Sequence, residues 1–385
     1  MTAADKARPA RASWPLRMRQ CISFVAKEPI LSVLVVALAA LQWRHPQAWG
    51  ELPHLVDWPT VTTLAGLLIL TKAVELSGFL MWLAHRVVHR VHSERALAFL
   101  LIGLAAVLSM LVTNDVALFV VVPLVLSLNR LTPLPIKRLT IFAALSVNAG
   151  SILTPLGNPQ NLFLWQTSGV SFGRFVLALA PLCAVLMAML YGLAACTFAG
   201  RPLDLSRDAP TERVDRAYAA TAALLFVAFV LLADSHHPGI GLAGIALGFL
   251  VWRRDAVLKI DWVLLLVFVL MFIVLRSVAA LPPIRETIAT FELGKPLSAY
   301  LSAAVLSQGI SNVPAAIMLA EFTKDWRALA FGVSVGGFGI AIGSLANLIA
   351  VRLARERGIW LGFHLVSIPF WVIGGALGAW LLTLR

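Results

Sequence analysis

The chain has 385 residues, of which 60% are hydrophobic and only 13% are charged, and its formal net charge is +12. This composition excludes a soluble protein with a large core and indicates an integral membrane protein, because one span needs about 20 mostly apolar residues. The basic residues lie in short loops between apolar segments, where they set membrane orientation, so nucleic-acid binding is not expected. The three cysteines are scattered, which excludes a disulfide scaffold and gives no support to a transition-metal site.

Nine apolar stretches are predicted as membrane-spanning helices, and two further stretches are predicted as re-entrant hairpins. Residues 1–27 are polar and basic, so we expect a flexible cytoplasmic tail rather than a cleavable signal peptide. The predicted spans are 29–43, 60–84, 139–166, 174–198, 217–233, 238–252, 262–280, 328–351 and 361–383. The predicted hairpins are 95–129 and 297–321.

The distribution of basic residues supports this topology. If each hairpin enters and leaves on one side, 22 basic residues fall in cytoplasmic segments and seven fall outside. That bias follows the positive-inside rule, with the N-terminus in the cytoplasm and the C-terminus outside. The first hairpin then enters from the cytoplasm and the second from outside. The predicted fold is therefore an all-α polytopic membrane protein with two inverted repeats, each with a re-entrant hairpin and a broken transmembrane helix.

The predicted repeats cover residues 28–200 and 217–385, and a charged cytoplasmic linker at 201–216 joins them. Asp57-Trp58 opens the span before the first hairpin, and Asp261-Trp262 opens the span before the second. The span at 217–233 has no obvious counterpart, so the predicted symmetry is imperfect.

Four polar breaks interrupt the apolar sequence in matched order. Two lie at the hairpin tips, at Thr113-Asn114-Asp115 and at Ser311-Asn312-Val313-Pro314, and two lie in the following spans, at 148–162 and 336–348. Polar backbone at membrane depth is tolerated only where protein or a water-filled cavity surrounds it. One such break is more often a kink or a cap, but a matched set in two halves is typical of a transporter's substrate site.

The ends of half-helices explain what such breaks can bind. Unpaired carbonyl groups attract a cation, and free N–H groups attract an anion. An asparagine side chain offers both a carbonyl oxygen and an amide donor. Small residues allow the backbone to approach an ion closely, and they are Thr113, Gly150, Ser151, Gly157, Ser311 and Gly343.

Four charged residues fall within apolar segments, and each has two readings. Asp115 is placed to cap a half-helix that starts near Val116, or it binds Na⁺ or carries a proton. Lys72, Glu75 and Arg276 form either a structural salt-bridge network or a group that helps to neutralise an anion.

The segments around the breaks resemble the ion transporter superfamily. They are TNDVALFVVVP (113–123), NAGSILTPLGNPQNL (148–162), SNVPAAIML (311–319) and GSLANLIA (343–350). The resemblance covers residues from about 60 to 351 and is closest to anion permeases related to arsenite permeases, Na⁺/H⁺ antiporters of the same fold, citrate carriers and divalent-anion/Na⁺ symporters. It implies two inverted repeats and cation-coupled transport, often in homodimers.

The resemblance also implies two pseudosymmetric ion sites with the substrate between Asn114 and Asn312. The first ion site would use Thr113, Asn114, Gly150, Ser151, Thr154 and Gly157, with Asp115 as a further candidate. The second would use Ser311, Asn312, Gly339, Gly343 and Asn347. Substrate-binding candidates are Asn114, Asn312, Thr154, Asn161 and Asn347. Dicarboxylate symporters have Ser-Asn-Thr at both tips, and this chain departs from that pattern at Asp115 and Val313, which disfavours a dicarboxylate.

The leading hypothesis is an inner-membrane permease for a small inorganic or organic anion, with Na⁺ or H⁺ as the coupling ion and no other cofactor. The alternative is a Na⁺/H⁺ antiporter in which Asp115 is the exchanging carboxylate. An intramembrane enzyme is disfavoured because the sequence has no HExxH or GxSxG motif and no aspartate cluster for Mg²⁺.

Overall fold

The computed structural model describes residues 28–88, 91–203 and 214–384. The described residues form eighteen α-helices and two short 3-10 helices, which confirms the all-α prediction. The predicted tail at 1–27 and residues 204–213 of the predicted linker lie outside the described residues.

The described residues of the first half form eight α-helices. They are α1 (Pro29–Arg44), α2 (Trp58–Leu76), α3 (Phe79–Val88), α4 (Glu94–Leu111), α5 (Asn114–Leu128), α6 (Ile136–Gly150), α7 (Pro159–Ser168) and α8 (Phe172–Thr197). A 3-10 helix, Leu52–Leu55, precedes α2.

Helix α9 (Arg216–Asp234) stands between the halves, and the second half repeats the order of the first. Its helices are α10 (Pro238–Trp252), α11 (Asp255–Leu258), α12 (Trp262–Ala279), α13 (Pro282–Ala289), α14 (Pro296–Ile310), α15 (Asn312–Leu319), α16 (Trp326–Gly336), α17 (Leu345–Ala354) and α18 (Ile359–Thr383). A second 3-10 helix, Ala341–Gly343, lies between α16 and α17.

Six of the described helices are long and apolar enough to cross a membrane, namely α2, α4, α8, α9, α12 and α18. Large apolar side chains on their outer faces are exposed, including Leu177, Leu231 and Val372. Such an apolar exterior suits lipid rather than water. The protein is therefore a multi-pass membrane protein.

Three predicted spans are interrupted. Residues 60–84 divide at Ser77-Gly78, where Gly78 has a φ of +75°. Residues 139–166 and 328–351 each divide into a helix, a break and a second helix.

Helix α4 was expected only as an arm of the first hairpin. Its 18 residues have a length of about 27 Å, which is nearly enough to cross the hydrocarbon core.

The recurring Asp-Trp pair begins a helix in the same way in both halves. The Asp57 carboxylate accepts a hydrogen bond from the Thr60 N–H at 2.9 Å, and the Asp261 carboxylate accepts one from the Leu264 N–H at 2.9 Å. Each aspartate therefore satisfies a donor that the first turn of α2 or α12 would leave unpaired.

The two halves pack against each other through reciprocal contacts. Helix α1 packs on α12, and its counterpart α10 packs on α2; likewise Leu52–Leu55 packs on α12, and α11 packs on α2. Near the breaks, α17 packs on α5 and α6, while α7 packs on α15 and α16. Each half thus covers the hairpin and the broken helix of the other. Helix α9 packs on α2 and α10 and has no counterpart among the described helices.

Candidate functional site

The first hairpin tip is fixed to the break between α6 and α7. The Asn114 N–H donates to the Gly157 carbonyl at 2.9 Å, and the Thr154 hydroxyl donates to the Met110 carbonyl at 2.6 Å. Gly150 lies against Ala106 so closely that an added Cβ would stand 2.5 Å from the Ala106 carbonyl oxygen. The tip and the break therefore pack as one unit.

The second hairpin tip is fixed to the break between α16 and α17 at corresponding positions. Gln308 and Met110 each lie four residues before a tip asparagine. The Gln308 Oε1 accepts from the Ile340 N–H at 2.9 Å, and its Nε2 donates to the Gly336 carbonyl at 2.8 Å. Different side chains thus make the same tip-to-break connection in the two halves.

Of the four half-helices that begin at the tips and breaks, α7 is capped by the Asn158 side chain, whereas α5, α15 and α17 lack a side-chain cap at the N-cap residue. Thr113, Ser311 and Ser344 are the N-cap residues of α5, α15 and α17, and none of their side chains makes a capping hydrogen bond within the described part of the chain. By contrast, the peripheral helices α4, α8, α9 and α16 are each capped by a serine or aspartate side chain. The positive dipole ends of these helices favour an anion. At α5, however, the Asn114 N–H already donates to the Gly157 carbonyl and the Asp115 N–H to the Asn114 Oδ1.

The backbone conformation differs between the two tips. Thr113 is ordinary extended backbone with a φ of −67°, whereas Ser311 has a φ of +73° and a ψ of 158°. The latter region is occupied almost exclusively by glycine, and a non-glycine residue there costs about 1–3 kcal/mol. Ser311 therefore stores backbone strain at the entry of α15.

Asn148 joins the two breaks, and it was not among the site residues predicted from the sequence. Its Nδ2 donates to the Asn347 Oδ1 at 2.7 Å and to the Gly337 carbonyl at 3.2 Å, and its Oδ1 accepts from the Ser344 hydroxyl at 3.0 Å. Asn347 Nδ2 donates to the same Gly337 carbonyl at 2.9 Å. The amide of Asn148, from the first half, is thus fully bonded within the second break.

The first break has a different network. Asn158 Nδ2 donates to the Ser151 carbonyl and hydroxyl, both at 3.0 Å, and its Oδ1 caps α7 at the Asn161 N–H. Asn161 Nδ2 donates to the Ile152 carbonyl at 3.2 Å. Asn161 is completely buried, yet its Oδ1 has no hydrogen-bond partner among the described residues.

Two glycines predicted for the second ion site shape the second break. Gly339 has a φ of +88°, and its N–H donates to the Ser367 hydroxyl at 3.0 Å. A Cβ on Gly343 would stand 2.6 Å from the Gly336 carbonyl oxygen. Both positions therefore require glycine, one for its conformation and the other for a close backbone approach.

Asp115 does not have the capping position predicted for it. Helix α5 begins at Asn114 with Thr113 as its N-cap residue, so Asp115 lies in the first turn instead. The difference arises because the tip is shorter than expected and the helix starts two residues earlier. The Asp115 side chain is half-buried, and its carboxylate has neither an ion pair nor a hydrogen bond within the described ranges.

The predicted network of Lys72, Glu75 and Arg276 is wrong as a single group. Lys72 and Glu75 form an ion pair at 2.7 Å. Arg276 instead pairs with Glu321 at 2.8 Å and donates to the Leu55 carbonyl at 2.7 Å. The reason is that α12 packs beside hairpin two, which brings the end of that hairpin to Arg276.

Arg276 and Glu321 also line a cavity of about 90 Å³ where α7 meets the end of the second hairpin. Lys324 and Ser168 contribute to the same wall. Two basic residues and one acidic residue therefore surround a small polar opening beside α15.

An all-helical protein with several spans, whose polar helix breaks are buried at the contact between its two halves, belongs structurally among membrane transporters. Residues 22–325 match the model of the CitMHS family, which is described as "Citrate transporter". The chain belongs to this family of membrane transporters. The matched residues include both hairpins and the first break.

Curated relatives agree with that family. The chain is 42% identical to "Inner membrane protein YbiR" of Escherichia coli (strain K12), covering 88% of this chain and 90% of the relative. It is 32% identical to an "Uncharacterized transporter" of Methanocaldococcus jannaschii, covering 79% of this chain and 83% of the relative. A shorter match, also 32% identical, covers 33% of this chain and 26% of a silicon efflux transporter of Oryza sativa subsp. japonica.

Proposed function

We propose that this protein is a secondary active transporter that moves a small anion across the inner membrane, coupled to Na⁺ or H⁺. The observation that carries the proposal is the meeting of uncapped helix N-termini with the C-terminal ends of α6 and α16 at the same buried breaks. N–H ends favour an anion and carbonyl ends favour a cation, so one buried region offers both. The name of the Escherichia coli relative supports the inner membrane as the location.

The proposed topology consists of two inverted repeats, at 28–200 and 217–385, with re-entrant hairpins at 95–129 and 297–321. The matched order of helices and the reciprocal packing support two repeats. Helix α9 is one additional crossing between them, so it would place the second repeat upside down relative to the first. The cytoplasmic bias of basic residues supports the same orientation.

An anion is the favoured substrate class because of the charges that surround the route to the second tip. Arg276 and Lys324 lie at the cavity beside α15, and only Glu321 opposes them there. The relatives' names do not agree on one substrate, since the family is named for citrate and the rice relative for silicon. We therefore propose a small oxygen-rich anion rather than one named compound.

The direct test is uptake into liposomes that contain the purified protein. A panel of sulfate, phosphate, arsenite, citrate and succinate would be offered with an imposed Na⁺ gradient, with a proton gradient, or with neither. We expect one anion class to accumulate only when one of the gradients is present. Uptake that no gradient drives, or no uptake of any anion, would contradict the proposal.

Variants at the tips locate the transport site. Asn114→Ala and Asn312→Ala should each abolish accumulation while the protein still inserts and remains monodisperse, because both asparagines are buried at the tips. Asn129→Ala is the matched control, since Asn129 lies at the end of the first hairpin and its side chain accepts a hydrogen bond from the Leu134 N–H at 2.8 Å, away from the tip. Normal flux in either tip variant would remove the tips from the mechanism.

A Na⁺/H⁺ antiporter is the second candidate, and the unpaired carboxylate of Asp115 favours it. A carboxylate at membrane depth is a functional candidate by default, because burial without a partner is unfavourable. Asp115→Asn should abolish Na⁺-driven pH changes in the liposomes if the protein is an antiporter. An anion transporter that does not exchange protons at Asp115 should retain most of its flux in the same variant.

A further inference from the structure

The two breaks align without a gap, and one position differs in a way that changes what each break can bind. Asn148 lies 13 residues before Asn161, and Ser334 lies 13 residues before Asn347. Both Asn148 and Ser334 occupy the last turn of the helix that leads into a break, α6 or α16. They are therefore counterparts in the two halves.

The packing supports this correspondence, because the helices of Asn148 and Ser334 make equivalent contacts with the opposite half. Asn148 on α6 reaches Asn347 on α17, and the reciprocal contact brings α16, which carries Ser334, against α7, which carries Asn161. In both halves, the first asparagine of the following helix holds a carbonyl ten residues earlier: Asn347 holds Gly337, and Asn161 holds Ser151. The contact from the asparagine to this carbonyl is thus shared, while the two halves differ at residue 148 or 334 and at the N-cap residue, Asn158 or Ser344.

The residue at 148 or 334 decides whether the asparagine oxygen has a hydrogen-bond partner. The two amide hydrogens of Asn148 bridge the Asn347 Oδ1 and the Gly337 carbonyl. On the helices of the reciprocal contact, α7 and α16, the Asn161 Oδ1 and the Ser334 Oγ are both buried. Neither has a hydrogen-bond partner among the described residues. The electropositive NH₂ group of an asparagine can bridge two oxygens and so occupy the place of a bound cation. A serine side chain is too short to bridge the two equivalent oxygens.

We propose that the protein has a single alkali-cation site, between Asn161 Oδ1 and Ser334 Oγ, and that Asn148 permanently closes its pseudosymmetric counterpart. Buried oxygens without a hydrogen-bond partner are unfavourable, and a bound cation would give both of them a partner. The C-terminal end of α16 adds a partial negative charge beside Ser334. This inference rests on the proposed function only in naming the cation as the coupling ion.

The test exchanges the two residues between the halves. Purified protein in detergent would be titrated with NaCl against choline chloride, with thermal stability as the readout and Na⁺-dependent uptake in liposomes as the second readout. Bound ²²Na⁺ would be counted at saturation, and the unchanged protein should hold about one Na⁺ per chain, because it has one site. Asn148→Ser should open the second site and raise the count to about two.

Ser334→Asn should close the remaining site and raise the Na⁺ concentration for half-maximal response by at least about tenfold. Ser334→Ala keeps the space but removes one oxygen, so it should weaken the response less, and it remains informative if Ser334→Asn does not fold. Asn148→Ala controls for loss of the bridging amide alone. A normal Na⁺ response in both Ser334 variants would overturn the proposal, and so would two bound Na⁺ ions in the unchanged protein. A site that holds only water, with no response of the protein to Na⁺, would overturn it as well.

The outcome is separable from that of the proposed function. If anion uptake is driven by protons alone and Na⁺ does not stabilise the protein, the single-site inference fails while the anion transporter stands. If Na⁺ stabilises the protein in the predicted pattern and no anion is carried, the inference stands while anion transport fails.

Discussion

Replacing Gly150 with alanine tests the contact between the first hairpin and the first break. A Cβ at this position would stand 2.5 Å from both the Cα and the carbonyl oxygen of Ala106, and 2.7 Å from the Ser109 Oγ. Ordinary contacts between such atoms lie at about 3.5–4.0 Å, so α4 and α6 must separate by about 1 Å. Overpacking of this kind typically costs about 1–3 kcal/mol.

Gly192→Ala is the control for this variant, because it makes the same chemical change in α8 with no atom within 4 Å of the new Cβ. That substitution should stabilise its helix by up to about 1 kcal/mol through helix propensity alone. Gly336→Ala should also be destabilising, since its Cβ would meet the Ser307 Cβ, which cannot rotate away, at 2.5 Å.

The assay is thermal unfolding of the three purified variants in one detergent, together with uptake in liposomes. We expect the highest apparent unfolding temperature for Gly192→Ala and lower ones for Gly336→Ala and Gly150→Ala, with transport lost in Gly150→Ala. Equal unfolding temperatures for Gly150→Ala and Gly192→Ala would refute the packing of the tip on the break.

Three smaller predictions follow from individual contacts. Ser311→Gly should raise the free energy of unfolding by about 1 kcal/mol, because glycine adopts this positive φ without strain. A lower unfolding temperature in this variant, as glycine causes at most other positions, would contradict this. Thr154→Val keeps the side-chain shape and removes the bond to the Met110 carbonyl, so it should cost about 1 kcal/mol, and unchanged stability would show that the bond is unimportant. Glu321→Gln should lower the half-saturating external anion concentration severalfold at low salt but not at high salt, since it leaves Arg276 unopposed; a salt-independent change would exclude an electrostatic cause.

The positions of the breaks were predictable from the sequence because helix-breaking residues stand out inside apolar runs. Asn114, Asn312 and the glycines at 150 and 343 mark the tips and breaks that the structure contains. The recurring Asp57 and Asp261 were likewise visible, and each proves to be an N-cap. These features depend on residues that are close in sequence, so each can be identified from its own segment without knowledge of the fold.

The contacts between the halves were not predictable in the same way. Asn148 and Asn347 are separated by 199 positions, and Arg276 finds Glu321 rather than Lys72 or Glu75 because of how α12 packs. Asn148 could have been recognised by aligning 148–162 with 334–348, since that alignment places an asparagine opposite Ser334. Such an alignment identifies the asymmetric position, but only the three-dimensional contacts show which oxygens remain unpaired.

The central claim is that the two hairpins enter the membrane from opposite sides, and sided labelling tests it most directly. Leu131 follows the first hairpin and Lys324 follows the second, and both are exposed. Single cysteines at these positions, in a background without the three natural cysteines, would be treated with a membrane-impermeant maleimide on intact cells and on inverted vesicles. We expect the cysteine at 131 to react only in inverted vesicles and the one at 324 to react only on intact cells. Reaction of both cysteines from the same side would contradict the inverted arrangement.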